Sequence, residues 1–445
     1  MNDTVSGPRS RPALGERLPA SRAVPGGSIV VVGGGISGMT VAVEAAEAGH
    51  DVILLEREPY LGGRVVRLNQ YFPKLCPPTC GMEINLRRIK GNSRIKVFTL
   101  AEVTRVEGEP GAYQVTVAIK PRRVDGNCTL CDRCAGACPV ERPDAFNYGM
   151  GTTKAIYLAH TMAYPQRYVI DPDACLGESC SKCVAYCDYD AIDLKQQPRT
   201  MTLSARAVVV ATGWKPYDAA RMENLSFGRH PDVVTNAMME RMAAKNGPTS
   251  GKLTRPSDGG PLRRVAFVQC AGSRDEHHLG YCSAVCCTAS FKQATYVREQ
   301  YPEAEIHIFY IDIRTMGTLE DFYDKVVRQD PKIKLHKGKV AKIEQAGGGL
   351  TVVAEEIVTG ERRVVEVDLA VLATGMQPEQ VPAGVVQQDG YGFVVPPEGG
   401  VGVWGVGCAR RPVEVASSVR DATAGALHAI HTSGCRARPG RAARR

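Results

Sequence analysis

Eight of the sixteen cysteines fall into two runs with the spacing of iron–sulfur ligands. Cys128, Cys131, Cys134 and Cys138 are spaced C-x2-C-x2-C-x3-C and are followed by Pro139. Three thiolates on one tight loop can hold three corners of a cubane, and the fourth, before the proline, ligates the other cluster. Cys175, Cys180, Cys183 and Cys187 form the companion run, C-x4-C-x2-C-x3-C. Its first gap is two residues longer, and Asp188 stands where proline is usual. Two [4Fe-4S] clusters with crossed fourth ligands are expected: Cys128, Cys131, Cys134 with Cys187, and Cys175, Cys180, Cys183 with Cys138. Paired C-x2-C can also hold zinc, but eight cysteines with the x3-Cys-Pro signature favour iron–sulfur.

A third group is Cys270, Cys282, Cys286 and Cys287, in VAFVQCAGSRDEHHLGYCSAVCC. Residues 264–269 read as the first strand of a second Rossmann unit. Where a nicotinamide site would show G-x-G-x-x-G, the chain has QCAGSRD, without the phosphate-cradling glycines. Cys282 and Cys286, four apart, are expected on one helix face with Cys287 about 100° round, at a helix N-terminus that lowers thiol pKa. The reading is a third [4Fe-4S] cluster where a nicotinamide would otherwise sit. Buried structural cysteines are the plainer alternative.

Cys76 and Cys80, in YFPKLCPPTCGMEIN, lie on a stiff turn. A redox dithiol, ligands to a cluster shared with another subunit, and structural thiols all remain open. Cys435 is assigned nothing. The nine histidines form no ligand constellation, and His277 and His278 are read as shaping the loop between Cys270 and Cys282.

These groups need elements to carry them, and residues 28–56 organise those elements. The apolar run 29–32 reads as a buried parallel strand. Gly33, Gly35 and Gly38 follow in the spacing G-x-G-x-x-G, then a helical stretch 37–48 ended by Gly49, then a strand 51–55 closed by Glu56. The glycines let backbone amides approach a pyrophosphate at a helix N-terminus, and the acid about 20 residues on accepts from a ribose hydroxyl. Downstream come Gly62-Gly63-Arg64, two strands ending in Ala-Thr-Gly at Gly213 and Gly375, and a Gly-rich turn at Gly407 and Cys408 before a C-terminal helix. This set resembles the two-domain FAD-dependent disulfide reductases of the thioredoxin-reductase kind. That resemblance implies FAD in the first Rossmann unit, with the last glycine turn and helix covering the flavin.

The 445 residues suffice for two or three domains, and no apolar run is long enough for a transmembrane helix. Residues 1–27 lack an apolar signal-peptide core and read as a disordered leader. Unexported, the cysteines belong to a reducing compartment, where clustered spacing means metal or redox work. The net charge of +8 comes partly from arginines of the 436–445 tail, and no basic–aromatic motif points to nucleic acid.

The expected architecture is α/β: two Rossmann-like domains of the disulfide-reductase type with an inserted ferredoxin-like α+β domain. The FAD domain takes residues 28–120, 198–217 and 370–435. The two-cluster insert takes 121–197, with a helix over 152–163 and a strand over 168–173. Residues 218–261 form a linker, and 262–369 form the second Rossmann-like domain, with a strand at 305–312 and a helix at 319–328.

The FAD fingerprint, the inserted ferredoxin, QCAGSRD, YCSAVCC and the segments HPDVVTN, GPTSG and RPSDGG together resemble the HdrA family of heterodisulfide reductase flavoproteins, over residues 28–432. The chain is shorter than full-length members. In that form, with KLCPPTCGMEIN, it resembles the QmoA branch, found in the quinone-interacting membrane-bound oxidoreductase (Qmo) complexes. By that resemblance its partners are a second HdrA-like flavoprotein (QmoB-like), a haem-bearing membrane subunit (QmoC-like) and adenylylsulfate reductase, on a cytoplasmic protein held peripherally at the inner membrane through its partners. The implied role is electron transfer between membrane quinol and a soluble sulfur-metabolism enzyme. No acid–base catalytic residue is named, because electron transfer requires none. Competing readings are an NAD(P)H-dependent flavin/iron–sulfur reductase, which the missing second glycine motif disfavours, the heterodisulfide reductase component of a soluble complex, and an assembly scaffold with structural cofactors.

Overall fold

The computed structural model describes residues 27–381 and 386–435. The expected leader, Gly27 aside, and the basic tail lie outside the described residues. Ser28–Val32 and Val52–Glu56 are buried almost throughout, because a strand with layers on both faces has no wet side. Ile95–Thr99 and the end of Arg199–Val210 flank them to complete a parallel core.

Arg199–Val210 changes character along its length. Its first half alternates between exposed and buried residues and pairs antiparallel with Ala112–Ile119; its last residues are all buried and pair parallel with Ser28–Val32. Ala101–Glu109 completes this meander. Helices Ile36–Glu47 and Val415–Gly434 share one core with the sheet, through Met39, Val43, Ala422 and Ala426 among others.

Ile119 and Arg199 are direct register partners. The chain therefore leaves the sheet and returns to it at one place, and everything between hangs from that hairpin end. This intervening segment has its own small core of Val124, Ile156, Tyr168, Ile170 and Ile192, packed with cysteines of both runs. The helix expected over 152–163 is absent. Thr152–Lys154 and Ile156–Tyr157 are strands, paired with Glu141–Pro143 and Val169–Ile170. The β-branched and aromatic residues at 152, 153, 156 and 157 favour extended backbone over helix.

The second sheet is ordered Val233–Thr235, Leu369–Thr374, Arg264–Ala271, Glu305–Tyr310, Ile333–Ala346, then the antiparallel pair Gly349–Glu356 and Arg362–Val367. This corrects two expected boundaries. Leu369–Thr374 pairs with Arg264–Ala271 and so belongs to the second unit. Val233–Thr235 and the helix Asn236–Ala243, within the expected linker, also belong there. The expected helix at 319–328 is α-helical over Leu319–Tyr323 and π-helical over Asp324–Arg328. Two strands connect the units, Trp214–Pro216 outward and Met376–Pro378 back, and they pair antiparallel.

Candidate cofactor and cluster sites

A cavity of about 250 Å3 lies where the units meet. Of the expected cofactor residues, Gly33, Gly35, Glu56, Gly63, Arg64, Gly213 and Cys408 line it. Gly38 does not, but its role is visible: a side chain there would stand 1.8 Å from the Gly33 carbonyl oxygen, so only glycine lets the helix start so close to the strand. Gly407 packs against Ser37. Gly375 departs most from expectation. It is not itself a lining residue, although its neighbours Thr374 and Met376 are, and a side chain there would meet Ser273 Oγ at 2.3 Å.

The donor set fits an extended dinucleotide. Gly33 has φ +109°, and a side chain on it would strike the Ala211 carbonyl at 2.3 Å. A side chain on Gly63 would come within 3.0 Å of the Gly35 Cα, so two bare backbones face each other beside the start of Ile36–Glu47, the geometry that receives phosphates. Glu56 accepts from the Gly34 amide (2.6 Å) and the Glu58 amide (2.8 Å), and burial pushes its carboxyl up to about 7. Glu379 accepts from Arg57 (2.6 Å) and Arg64 (3.3 Å), holding two cations at the cavity wall.

In the insert, the two cysteine runs are built alike. Each carries a left-handed residue between its second and third cysteines, Asp132 (φ 63°) and Ser181 (φ 45°), followed by a short helix, Arg133–Ala137 or Lys182–Ala185. A cavity of about 20 Å3 is lined by Cys138, Cys175, Cys180 and Cys183, one of the two crossed sets. Cys134 lies within electrostatic reach of Cys128 and Cys131, and burial raises its thiol pKa. Asp188, where proline is usual, forms an ion pair with Arg133 of the other run. Among the described residues, no group of three or more His, Cys, Asp or Glu is arranged to hold a single metal ion.

The third group converges at the C-terminal end of the second sheet. Cys270, one residue before the end of Arg264–Ala271, has φ 55°, and Cys286 and Cys287 open the helix Cys286–Gln300. Cys282 is corrected: it lies in the loop before the helix and not on its face. The Cys286 thiol feels Cys287, Cys270 and Cys282. Burial raises the thiols of Cys270, Cys286 and Cys287, so desolvation outweighs the expected lowering by the helix N-terminus. Arg314 lies within electrostatic reach of Cys282, and Asp312 pairs with both Arg274 and Arg314. His278 bonds the Tyr217 hydroxyl (2.8 Å), while His277 is exposed. Cys76 and Cys80 are exposed thiols at the start of Pro78–Gly91, and Cys408 is buried against Val413 and Ser418.

Sequence reading missed several cavity residues. Tyr148 reaches it from the insert, and Asn236, Glu240, Lys292 and Gln293 from the second unit. Glu240 and Lys292 form a buried ion pair at 2.9 Å. Tyr296 and Gln293 also donate to Glu240, and Lys292 donates to the Gln70 carbonyl of the first unit. Val285, Ala289, Lys292 and Gln293 recur at helical spacing beside Cys286, a periodicity that could have drawn attention to Lys292.

The chain is 36% identical over 417 residues to the A subunit of the ferredoxin/F(420)H(2)-dependent CoB-CoM heterodisulfide reductase of Methanosarcina acetivorans, covering 89% of this chain and 52% of that protein. It is also 36% identical over 419 residues to the A2 iron-sulfur subunit of the CoB–CoM heterodisulfide reductase of Methanopyrus kandleri, covering 90% and 63%. Over most of its length the chain is similar to heterodisulfide reductase A subunits. It spans about half the length of the first of these relatives. Residues 28–93 match the family described as FAD dependent oxidoreductase. Its fold is that of thioredoxin reductase: the T. acidophilum enzyme superposes with a TM-score of 0.51 at 16% identity over 91% of this chain and 98% of that one. The Lactococcus lactis enzyme gives 0.50 at 12% identity over the same shares.

Proposed function

We propose that this chain is an FAD and iron–sulfur electron-transfer component of an HdrA- or Qmo-like complex. The observation that carries the reading is a single cavity lined by all three parts of the chain. Gly33, Gly35, Glu56 and Arg64 line it from the first unit, Tyr148 from the insert and Cys286 from the second unit. FAD, when bound, exchanges electrons in pairs or singly, whereas clusters take one at a time. Glu56 would hold the ribose, the Gly33–Gly35 turn the pyrophosphate, and Cys408 and the Val415–Gly434 helix would close over the flavin. The two crossed cysteine sets and the Cys270 group would hold three [4Fe-4S] clusters. Cys286 belongs to both the cavity wall and the third set, which brings a cluster ligand to the cofactor's edge.

The proposed partners are a QmoB-like flavoprotein, a QmoC-like haem protein of the membrane, and adenylylsulfate reductase, with electrons carried between membrane quinol and sulfur metabolism. No helix among the described residues is long and apolar enough to cross a membrane, so membrane contact is proposed through partners alone. The names of the relatives favour a second reading, the flavoprotein component of a heterodisulfide reductase complex. In the assembled complex, Cys131→Ala should stop quinol-linked turnover. Undiminished turnover would reduce the cofactors to scaffolding, and turnover with a heterodisulfide but not with quinol would select the second reading.

A further inference from the structure

Gln269 is 5% exposed, and neither its Nε2 nor its Oε1 has a hydrogen-bond partner. Burying an amide without partners is costly, so native proteins supply a partner or reserve the group for one. Its position indicates which. Side chains alternate along a strand. Val265 and Phe267 pack into the core shared with Cys287, Phe291 and Ala294 of the Cys286–Gln300 helix, whereas Ala266 and Val268 face the opposite core. Pairing with Leu369–Thr374 shifts register between Val268 and Ala271, so Gln269 lies in that irregularity, immediately before Cys270. Its neighbour Cys270 breaks the strand with φ 55° and lies within electrostatic reach of Cys287 and Cys282. Thr288, one residue past Cys287, is 1% exposed and its hydroxyl is also without a partner.

We propose that Gln269 is a positioning residue for the third cluster: its Nε2 donates to a cluster sulfur and thereby sets that cluster's potential. The inference rests on the Cys270, Cys282, Cys286 and Cys287 set holding a cluster. A cluster is anionic, and an N–H aimed at an anionic acceptor is the stronger class of hydrogen bond. The added negative charge of the reduced form is favoured more than the oxidised form, so the bond raises the potential, one of the recognised controls on iron–sulfur potentials.

The test replaces Gln269 by methionine, which keeps length and removes the donor, in protein purified without oxygen. Iron is counted, and the third cluster is titrated by EPR. Full iron with a lower potential is expected, about a tenfold fall in the reduced-to-oxidised ratio at fixed potential, which is about 59 mV for one electron. Full iron with an unchanged potential overturns the role of Gln269 and leaves the cluster standing. Only about eight irons in the unsubstituted chain would remove the cluster, and with it this inference. Should Gln269→Met itself shed iron, pulsed EPR of the unsubstituted protein with 15N-labelled glutamine side chains decides: a coupled amide nitrogen at the third cluster supports the bond, and its absence overturns it.

Discussion

Lys292 Nζ stands 2.9 Å from a Glu240 carboxylate oxygen, with the two side chains only 2% and 3% exposed, on the wall of the cavity between the units. Two ions this deep are stable only with further partners. They have them: the Asn69 amide, Gln293 and Tyr296 donate to Glu240, and Lys292 donates to the Gln70 carbonyl. Two of these partners belong to the first unit, so the pair also ties the units together.

Removing one partner should cost more than removing both. Lys292→Met or Glu240→Gln alone is expected to cost about 3–5 kcal/mol, because each leaves a buried charge uncompensated. The double variant should recover part of that loss. Denaturant unfolding of the three variants checks this, and single-variant losses under about 1 kcal/mol would mean that water reaches the pair.

Glu56 predicts a pH dependence. Burial raises its carboxyl to about 7 in the folded chain, above its value in the unfolded chain. A raised folded pKa contributes stability that is fully present below about 4.5 and is lost as pH rises through about 7. In flavin-free protein the loss attributable to Glu56 should be on the order of 3 kcal/mol. Glu56→Gln should remove this slope between about pH 4.5 and 7.5, as read by denaturant unfolding at several pH values. Parallel slopes for the two proteins would mean that the carboxyl is hydrated.

Cys138 and Cys180 come from different runs yet line one cavity. Cys138→Ala and Cys180→Ala are therefore expected to abolish the same EPR signal and leave the other ferredoxin-type signal intact. Loss of different signals from the two variants would contradict crossed ligation.

Cys286→Ser should lower bound iron by about four per chain. Cys286 also lines the flavin cavity, so the visible spectrum of bound flavin should shift in the same variant. Unchanged iron would make the Cys270 group structural.

Gly38→Ala tests the dinucleotide turn. The added methyl would overlap the Gly33 carbonyl at 1.8 Å, and forcing helix from strand should cost about 1–3 kcal/mol and release flavin on gel filtration. Full flavin retention would contradict the assignment of this turn.

What was legible in the sequence was short-range. The strand–glycine–helix–strand–acid order of residues 28–56 and the cysteine spacings depend on neighbours a few positions apart, where covalent connection limits geometry. What sequence did not reveal depends on which strands meet. Leu369–Thr374 ends in Ala-Thr-Gly like the strand before Gly213, so local similarity assigned it to the first unit, while pairing with Arg264–Ala271 puts it in the second. Glu240 and Lys292 are far apart in the chain and become partners only when two helices cross. In the insert, the small residues of 152–163 suit a helix, while the β-branched and aromatic residues at 152, 153, 156 and 157 favour strands, and the pairing with Glu141–Pro143 and Val169–Ile170 decides for strands.

The most direct test of the account is iron, acid-labile sulfide and flavin per chain in protein purified without oxygen. About twelve irons and one FAD are predicted, two cubanes in the insert and one at Cys270, Cys282, Cys286 and Cys287. About eight irons would leave those four as thiols beside the flavin, and would contradict the claim that the cavity meets a cluster at Cys286.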